Sequence, residues 1–155
     1  THIVRFLEEH PKLQLYFAPG PRIQVLSSDI LSRIFALSPI LHLNETEARE
    51  YTRRQTAKEA AQILYAKTGN AVIITLGDRG ACCKTAEKTA YIPGVKAKQT
   101  DTIGAGDSHI GAVIARLKQG ATMEEAVADA NRVAAAVVGT SGALLSDEAF
   151  LRLGV

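Results

Sequence analysis

The 155-residue sequence predicts an α/β fold with a mostly parallel sheet. Segments with helix and strand patterns alternate along the chain, as they do where parallel strands are joined by helical crossovers. In addition, Ala71 to Leu76 is a continuous apolar run, the pattern of a strand that helices cover on both faces. These two observations carry the assignment of fold class.

Breaker residues and apolar periodicity divide the chain into elements. Pro11 and the Pro19-Gly20-Pro21 run end the first helix and the first strand, and Gly69-Asn70 ends a later helix. Apolar residues at three- and four-residue spacing predict the helices Thr1–His10, Asp29–Leu37, Glu45–Arg53, Thr56–Thr68, Ala105–Leu117 and Thr122–Val138. Short apolar runs predict the strands Leu13–Ala18, Pro39–Leu43 and Ala71–Leu76, and an antiparallel pair, Ala81–Lys84 with Thr89–Ile92.

The composition is that of an ordinary globular protein, with 46% apolar and 22% charged residues. A net charge of +2 is too small to predict binding to nucleic acid or to a membrane surface. No apolar run approaches the ~20 residues that span a bilayer, and no basic-then-apolar leader opens the chain. Because the adjacent Cys82 and Cys83 are expected to be reduced thiols in a strand, we predict a cytoplasmic protein.

The run Asp101-Thr102-Ile103-Gly104-Ala105-Gly106-Asp107 stands where a polar segment becomes a predicted helix. The first N–H groups of a helix lack intrahelical partners and favour anions, and glycine lets a ligand approach the backbone. The run therefore predicts a phosphate site. Asp107 within it is predicted to take a proton from the group that attacks the phosphate. A capping acid behind a glycine-containing turn is the structural alternative.

A second motif, Thr75-Leu76-Gly77-Asp78-Arg79-Gly80, follows the most apolar strand. Loops at the carboxyl ends of parallel strands hold ligands, and this one offers a hydroxyl at Thr75 and bare backbone at Gly77. We therefore expect it to contact nucleotide phosphates. A plain hairpin turn is the alternative.

A third motif, Asn44-Glu45-Thr46-Glu47, begins a predicted helix. Asn44 is a good N-cap and Glu47 stands at the third helical position, which predicts a capping box. The functional alternative is that both residues organise Mg²⁺ and its water shell beside phosphates, because Mg²⁺ needs few direct protein ligands.

The fourth motif is the alanine-rich helix that contains Asn131 and the loop Gly139-Thr140-Ser141-Gly142 after it. Small side chains let a flat ligand come close, and the loop carbonyls suit an adenine pocket or a monovalent cation. Tight helix packing explains the same residues.

Taken in order, these four motifs resemble the ribokinase-like, or phosphofructokinase-B type, carbohydrate and nucleoside kinases from Asn44 to the C-terminus. The resemblance implies a three-layer α/β/α fold. It also implies that residues 1–155 form the C-terminal part of one kinase domain, without the N-terminal portion that carries the substrate site and the lid. One departure is His109, where the family commonly has Phe.

The resemblance implies an ATP-dependent kinase that phosphorylates a hydroxyl of a sugar or nucleoside. Asp107 matches the catalytic base, and Gly104, Ala105 and Gly106 match the anion hole. Nucleotide-contacting positions of the family fall on Asn44, Glu47, Thr75, Gly77, Gly80, Asn131, Gly139 and Gly142. The metal positions are Glu47 for Mg²⁺ through water, and Asp101 with the Ile103 carbonyl for the K⁺ that many members bind.

Two other functions fit the same fold. One is a non-catalytic nucleotide-binding module, although the intact Asp107 argues against it. The other is a hydroxymethylpyrimidine or pyridoxal kinase, whereas the form of the Asp101–Asp107 run favours sugars. The expected partner is a small-molecule sugar or nucleoside, with neither nucleic acid nor membrane, and a homodimer is left open.

Overall fold

The structure, a computed structural model, describes residues 2–97, 102–140 and 145–154. Within these ranges the helices are α1 (His2–Glu9), α2 (Ser28–Ala36), α3 (Glu45–Thr52), α4 (Ala57–Thr68), α5 (Ala105–Lys118), α6 (Met123–Val138) and α7 (Asp147–Leu153). The strands are β1 (Tyr16–Phe17), β2 (Ile40–Asn44), β3 (Val72–Thr75), β4 (Gly80–Lys84) and β5 (Thr89–Pro93). Two short 3-10 segments cover Gly20–Gln24 and Gly77–Arg79.

The described strands form one sheet in the order β1-β2-β3-β4-β5. β1 pairs with β2 in parallel, and β2 pairs with β3 in parallel, so their carboxyl ends lie at the same edge. In this register Asn44 stands opposite Thr75. The predicted α/β fold with a mostly parallel sheet is confirmed.

The chain divides into two compact units, the first made of residues 1–75 and 82–90. Its core is the middle of β2 and β3, where consecutive residues are buried and both faces of the sheet are therefore covered. Leu41 and Ile73 are fully buried, and each such side chain stabilises the fold by about 2 kcal/mol. α4 packs on β3 and on α3 through a face made largely of alanine.

The second unit comprises residues 76–81 and 91–155. Here α5 packs against α6, whose buried face includes Ala126 and Ala130. An ion pair ties the two helices at their rim, where Arg116 Nε lies 2.7 Å from Asp129 Oδ2. No helix in the described ranges is long and apolar enough to cross a membrane.

Three parts of the secondary structure differ from expectation. The strand predicted over Leu13–Ala18 is wrong outside Tyr16–Phe17, because only those residues pair with β2 and Leu13 is exposed. The run Pro19-Gly20-Pro21, predicted only as a strand breaker, leads into the 3-10 turn Gly20–Gln24, which buries Ile23 completely. α7 has no counterpart among the predicted helices, although Ser146 caps it as a sequence signal would require.

Candidate functional site

Helix α5 begins with bare backbone. Its N-cap is Gly104, whose φ of 79° is left-handed, and no side chain of this residue can cap the first turn. Glycine adopts this conformation without a steric penalty. The other helices with described N-caps each use a side-chain acceptor: Ser27, Asn44, Thr56, Thr122 and Ser146. The Ala105 N–H makes a long hydrogen bond of 3.4 Å to the Thr102 carbonyl. Within the described residues, the N–H groups of Gly106 and Asp107 are the ones suited to a ligand anion.

Gly106 and Asp107 are exposed in this first turn. A Cβ at Gly106 would meet no atom of the described residues within 4 Å, so a ligand has room to reach the backbone. Asp107 is the third residue of α5, and the described residues offer its carboxylate no hydrogen-bond partner of the kind that a capping acid would have. The local geometry suits the predicted anion hole and base, whose roles stay predictions.

At the start of α3, side chains of the same segment accept hydrogen bonds from its backbone N–H groups. The Glu47 N–H donates to Asn44 Oδ1 at 2.9 Å, and the Asn44 N–H donates to Glu47 Oε2 at 3.0 Å. This is the predicted capping box. Asn44 also faces Thr75 across the sheet, where the Thr75 hydroxyl donates to the Leu43 carbonyl at 3.5 Å. The first unit thus brings Asn44, Glu47 and Thr75 to the same edge.

Glu47 offers one carboxylate to the magnesium ion that the resemblance implies. Its Oε2 is engaged in the capping box, and a carboxylate oxygen is the hard ligand that Mg²⁺ prefers. Within the described ranges, no three His, Cys, Asp or Glu side chains gather as a metal cluster. One carboxylate suits an ion held chiefly by waters and phosphates, so the residues present fit Mg²⁺.

The turn from Gly77 to Gly80 is shaped by close backbone packing. The Leu76 N–H donates to the Gly80 carbonyl at 2.7 Å, and Gly77 and Gly80 have φ values of 66° and 98°. A Cβ at Gly80 would overlap the Ile92 carbonyl and the Gly94 nitrogen, and one at Gly94 would overlap the Asp78 carbonyl. Gly77 by contrast is exposed and open. Packing therefore explains why Gly80 is glycine, and Gly94 is a structural partner that the sequence reading missed.

A buried polar pair links α5 to α6. His109 is 2% exposed and Asn131 is 6% exposed, and His109 Nε2 lies 3.0 Å from Asn131 Oδ1. The Asn131 amide nitrogen donates to the carbonyls of Ile92 and Pro93 at 3.3 and 3.0 Å. The hydrogen bonds described for the Asn131 side-chain amide are thus all made to other atoms of the protein. Its predicted place beside adenine stays a prediction.

Burial lowers the pKa of His109 to about 4, because desolvation disfavours the imidazolium, while the hydrogen bond to Asn131 Oδ1 acts in the opposite direction. The ring is therefore neutral at pH 7. The sequence reading missed this pair, although His109 stands four residues before the fully buried Val113 and shares its helix face.

The remaining predicted positions lie near the ends of described segments. Gly139 follows α6 as its C-cap and is exposed, and Ile103 is exposed just before α5. Asp101 and Gly142 lie outside the described residues. The second unit thus contains the Gly77–Gly80 turn, the start of α5 and the Asn131 network.

The sequence matches the pfkB family of carbohydrate kinases over residues 19–149. The chain belongs to this family. It is 34% identical over 144 residues to the uncharacterized sugar kinase YegV of Escherichia coli K12, covering 90% of the chain and 45% of that protein. It is 33% identical over 130 residues to the ribokinase of Haemophilus influenzae, covering 81% of the chain and 41% of that protein. The chain thus spans less than half the length of these curated relatives.

Solved structures show the same fold. The ribokinase of Thermotoga maritima matches with a TM-score of 0.78 and 27% identity over 90% of the chain and 48% of that structure. The aminoimidazole riboside kinase of Salmonella enterica, complexed with aminoimidazole riboside and an ATP analog, gives 0.70 and 25% over 82% and 46%. Phosphofructokinase-2 of Escherichia coli in complex with potassium gives 0.69 and 25% over 82% and 44%.

Proposed function

We propose that the protein to which this chain belongs transfers the γ-phosphate of ATP to a hydroxyl of a sugar or nucleoside. The observation that carries the proposal is the start of α5, where left-handed Gly104, exposed Gly106 and exposed Asp107 combine open helix N–H groups with a carboxylate. Membership of the pfkB family and likeness to ribokinases support a sugar as the acceptor.

In the proposed reaction Asp107 accepts the proton of the acceptor hydroxyl as that oxygen forms a bond to the γ-phosphorus. The bond between the γ-phosphorus and its bridging oxygen breaks, ADP leaves, and Asp107 returns the proton to solvent. Backbone N–H groups of Gly104, Ala105 and Gly106 hold the charge on the transferred phosphoryl oxygens. A general base of this kind contributes about 10²- to 10⁴-fold to the rate.

Further residues are proposed to face the nucleotide. Thr75 and Gly77 would contact phosphates, with Gly80 shaping the turn, and Asn131 and the loop from Gly139 to Gly142 would border adenine. Asn44 and Glu47 would hold the hydrated Mg²⁺, which when bound neutralises phosphate charge. The potassium complex of a similar kinase supports a K⁺ site at Asp101 and the Ile103 carbonyl.

The test is phosphoryl transfer by the natural full-length protein across a panel of sugars, nucleosides, hydroxymethylpyrimidine and pyridoxal. ADP release is followed together with the mass of the product. Asp107→Asn keeps the shape of the side chain and removes the base, so we expect kcat to fall by at least about 100-fold. Asp147→Asn makes the same change at another exposed helix start, in α7, and we expect kcat within twofold of the wild type.

Each outcome separates the alternatives. Undiminished transfer by Asp107→Asn would remove Asp107 as the base. ATP binding without turnover on any substrate would favour the non-catalytic module, and turnover on pyridoxal or hydroxymethylpyrimidine alone would favour that class of kinase.

A further inference from the structure

The amide of Asn131 organises a buried network in the second unit. Its nitrogen faces two backbone carbonyls at the end of β5, those of Ile92 and Pro93. Carbonyls only accept hydrogen bonds, so these contacts fix which end of the amide is the nitrogen. Asn131 Oδ1 therefore points at the His109 ring.

The orientation of the amide also sets the tautomer of the imidazole. An amide oxygen accepts and cannot donate, so His109 Nε2 must carry the hydrogen in the 3.0 Å bond. Removing this donor would leave a buried acceptor unsatisfied, which is costly in a low-dielectric interior. One pair of side chains thus joins α5, α6 and the end of β5.

The residue that follows β5 connects this hydrogen-bond network to the Gly77–Gly80 turn. Pro93 is followed by Gly94, whose backbone packs directly on Asp78 and Gly80. That contact leaves no room for a Cβ on either glycine, so the two backbones cannot move independently at this point. The chain of contacts runs from α5 through His109, Asn131 and Gly94 to the turn.

We propose that His109 and Asn131 are positioning residues. They fix the position of the first turn of α5 relative to the Gly77–Gly80 turn, so that both segments contact one nucleotide. The inference rests on the proposed function, which assigns both segments to phosphates. His109 stands only two residues after Asp107, so a shift of the helix at this point displaces the base. A displacement of about 1 Å is enough to reduce a rate by up to about 100-fold.

The experiment compares three variants of the natural full-length protein. His109→Phe introduces the residue that is common in the family, but in this chain it leaves the buried Asn131 Oδ1 without its donor. His109→Gln carries an amide nitrogen near the position of Nε2. Val113→Ala is the matched control, because it removes packing from the same buried face of α5 without touching the network. Should His109→Phe not fold, His109→Asn takes its place, since its shorter side chain cannot reach Asn131.

We expect His109→Phe to lower kcat by about tenfold or more while KM for the sugar stays within twofold. His109→Gln should recover most of that loss, and Val113→Ala should keep kcat within twofold. Amide hydrogen exchange supplies a second readout: the Leu76 N–H, bonded to the Gly80 carbonyl, should exchange faster in His109→Phe and unchanged in Val113→Ala. A merely structural His109 would give the two variants the same profile.

The two proposals fail in different ways. If the wild type transfers phosphate and His109→Phe matches it in kcat and in Leu76 exchange, the positioning role is overturned and the kinase stands. If the wild type transfers no phosphate, the proposed function is overturned. Leu76 exchange then still decides whether His109 and Asn131 hold the turn.

Discussion

Helices α3 and α5 both begin at positions that the sequence assigns to phosphate, yet they are built differently. At α3 the Asn44 and Glu47 side chains hydrogen-bond the helix's own N–H groups. At α5 the N-cap is Gly104, which has no side chain to do so, and the helix is held instead by buried His109 one turn inside.

The difference separates two kinds of helix start. A capped start is stable without a ligand, because its orphan N–H groups already have acceptors. An uncapped start keeps those groups for an anion and must take its rigidity from packing elsewhere. We therefore expect changes at α5 to affect chemistry most, and changes at α3 to affect the metal and local stability.

The largest expected effect comes from Gly104→Ala in the natural full-length protein. A Cβ disfavours the left-handed φ of 79°, so the first turn of α5 should re-form with its N–H groups turned away. Loss of one preorganised donor lowers kcat by about 100- to 1,000-fold, to be measured in steady-state assays.

Gly120→Ala is the control for this change, because Gly120 has a φ of 89° and no described atom within 4 Å of an added Cβ. Both variants should lose about 1–2 kcal/mol of unfolding free energy. Equal loss of activity in the two would mean that strain alone, and not the anion site, explains the effect.

The second expected effect is a loss of stability in acid. The folded pKa of His109, about 4, lies below the ordinary value of 6.5, so the unfolded chain takes up the proton first. The contribution is complete above about pH 6.5 and disappears as the pH falls through 4. Between pH 7 and pH 4 the wild type should lose about 3 kcal/mol more unfolding free energy than His109→Gln, measured by urea titration.

Hydrogen bonds with Arg33 and Thr122 also lower the pKa of Glu8 and Glu125, respectively, so both proteins lose some stability in acid. Both proteins contain these carboxylates, so their contribution to the pH dependence cancels when the wild type is compared with His109→Gln. If the unfolding free energies of the wild type and His109→Gln changed in parallel with pH, His109 would titrate normally and would not be buried as described.

The smallest expected effect belongs to Glu47→Gln at α3. Glutamine also serves in a capping box, so unfolding free energy should change by less than about 0.5 kcal/mol. Loss of the charge should raise the Mg²⁺ concentration for half-maximal activity by about tenfold, as read from a magnesium titration. Glu59→Gln in the α4 capping box is the matched control and should leave that titration unchanged.

The agreement between sequence and structure is best where the deciding contacts are local. The predicted cap at Asn44 accepts from the N–H three residues on, and Gly69 ends α4 in the left-handed conformation. Such contacts depend on neighbouring residues alone, so residue spacing predicts them. The same reasoning predicts the open turn of Gly104 to Asp107.

Contacts between distant residues could not be predicted in this way. His109 stands 22 residues before Asn131, and the β5 carbonyls that the amide meets stand 38 and 39 residues before Asn131. Gly94 carries no signal in its own neighbourhood, because its need for a bare backbone arises from Asp78 and Gly80. Each of these depends on which surfaces pack together.

The sequence by itself therefore determined the alternation of elements, the local caps, the order of the phosphate-facing motifs and, through them, the kinase family. Tertiary structure alone decided that β1 is two residues long, that Gly80 is a packing glycine and that His109 is a neutral, buried ring bonded to Asn131. The physical reason is range: hydrogen bonds across one helical turn follow from spacing, whereas burial is settled only when remote segments exclude water together.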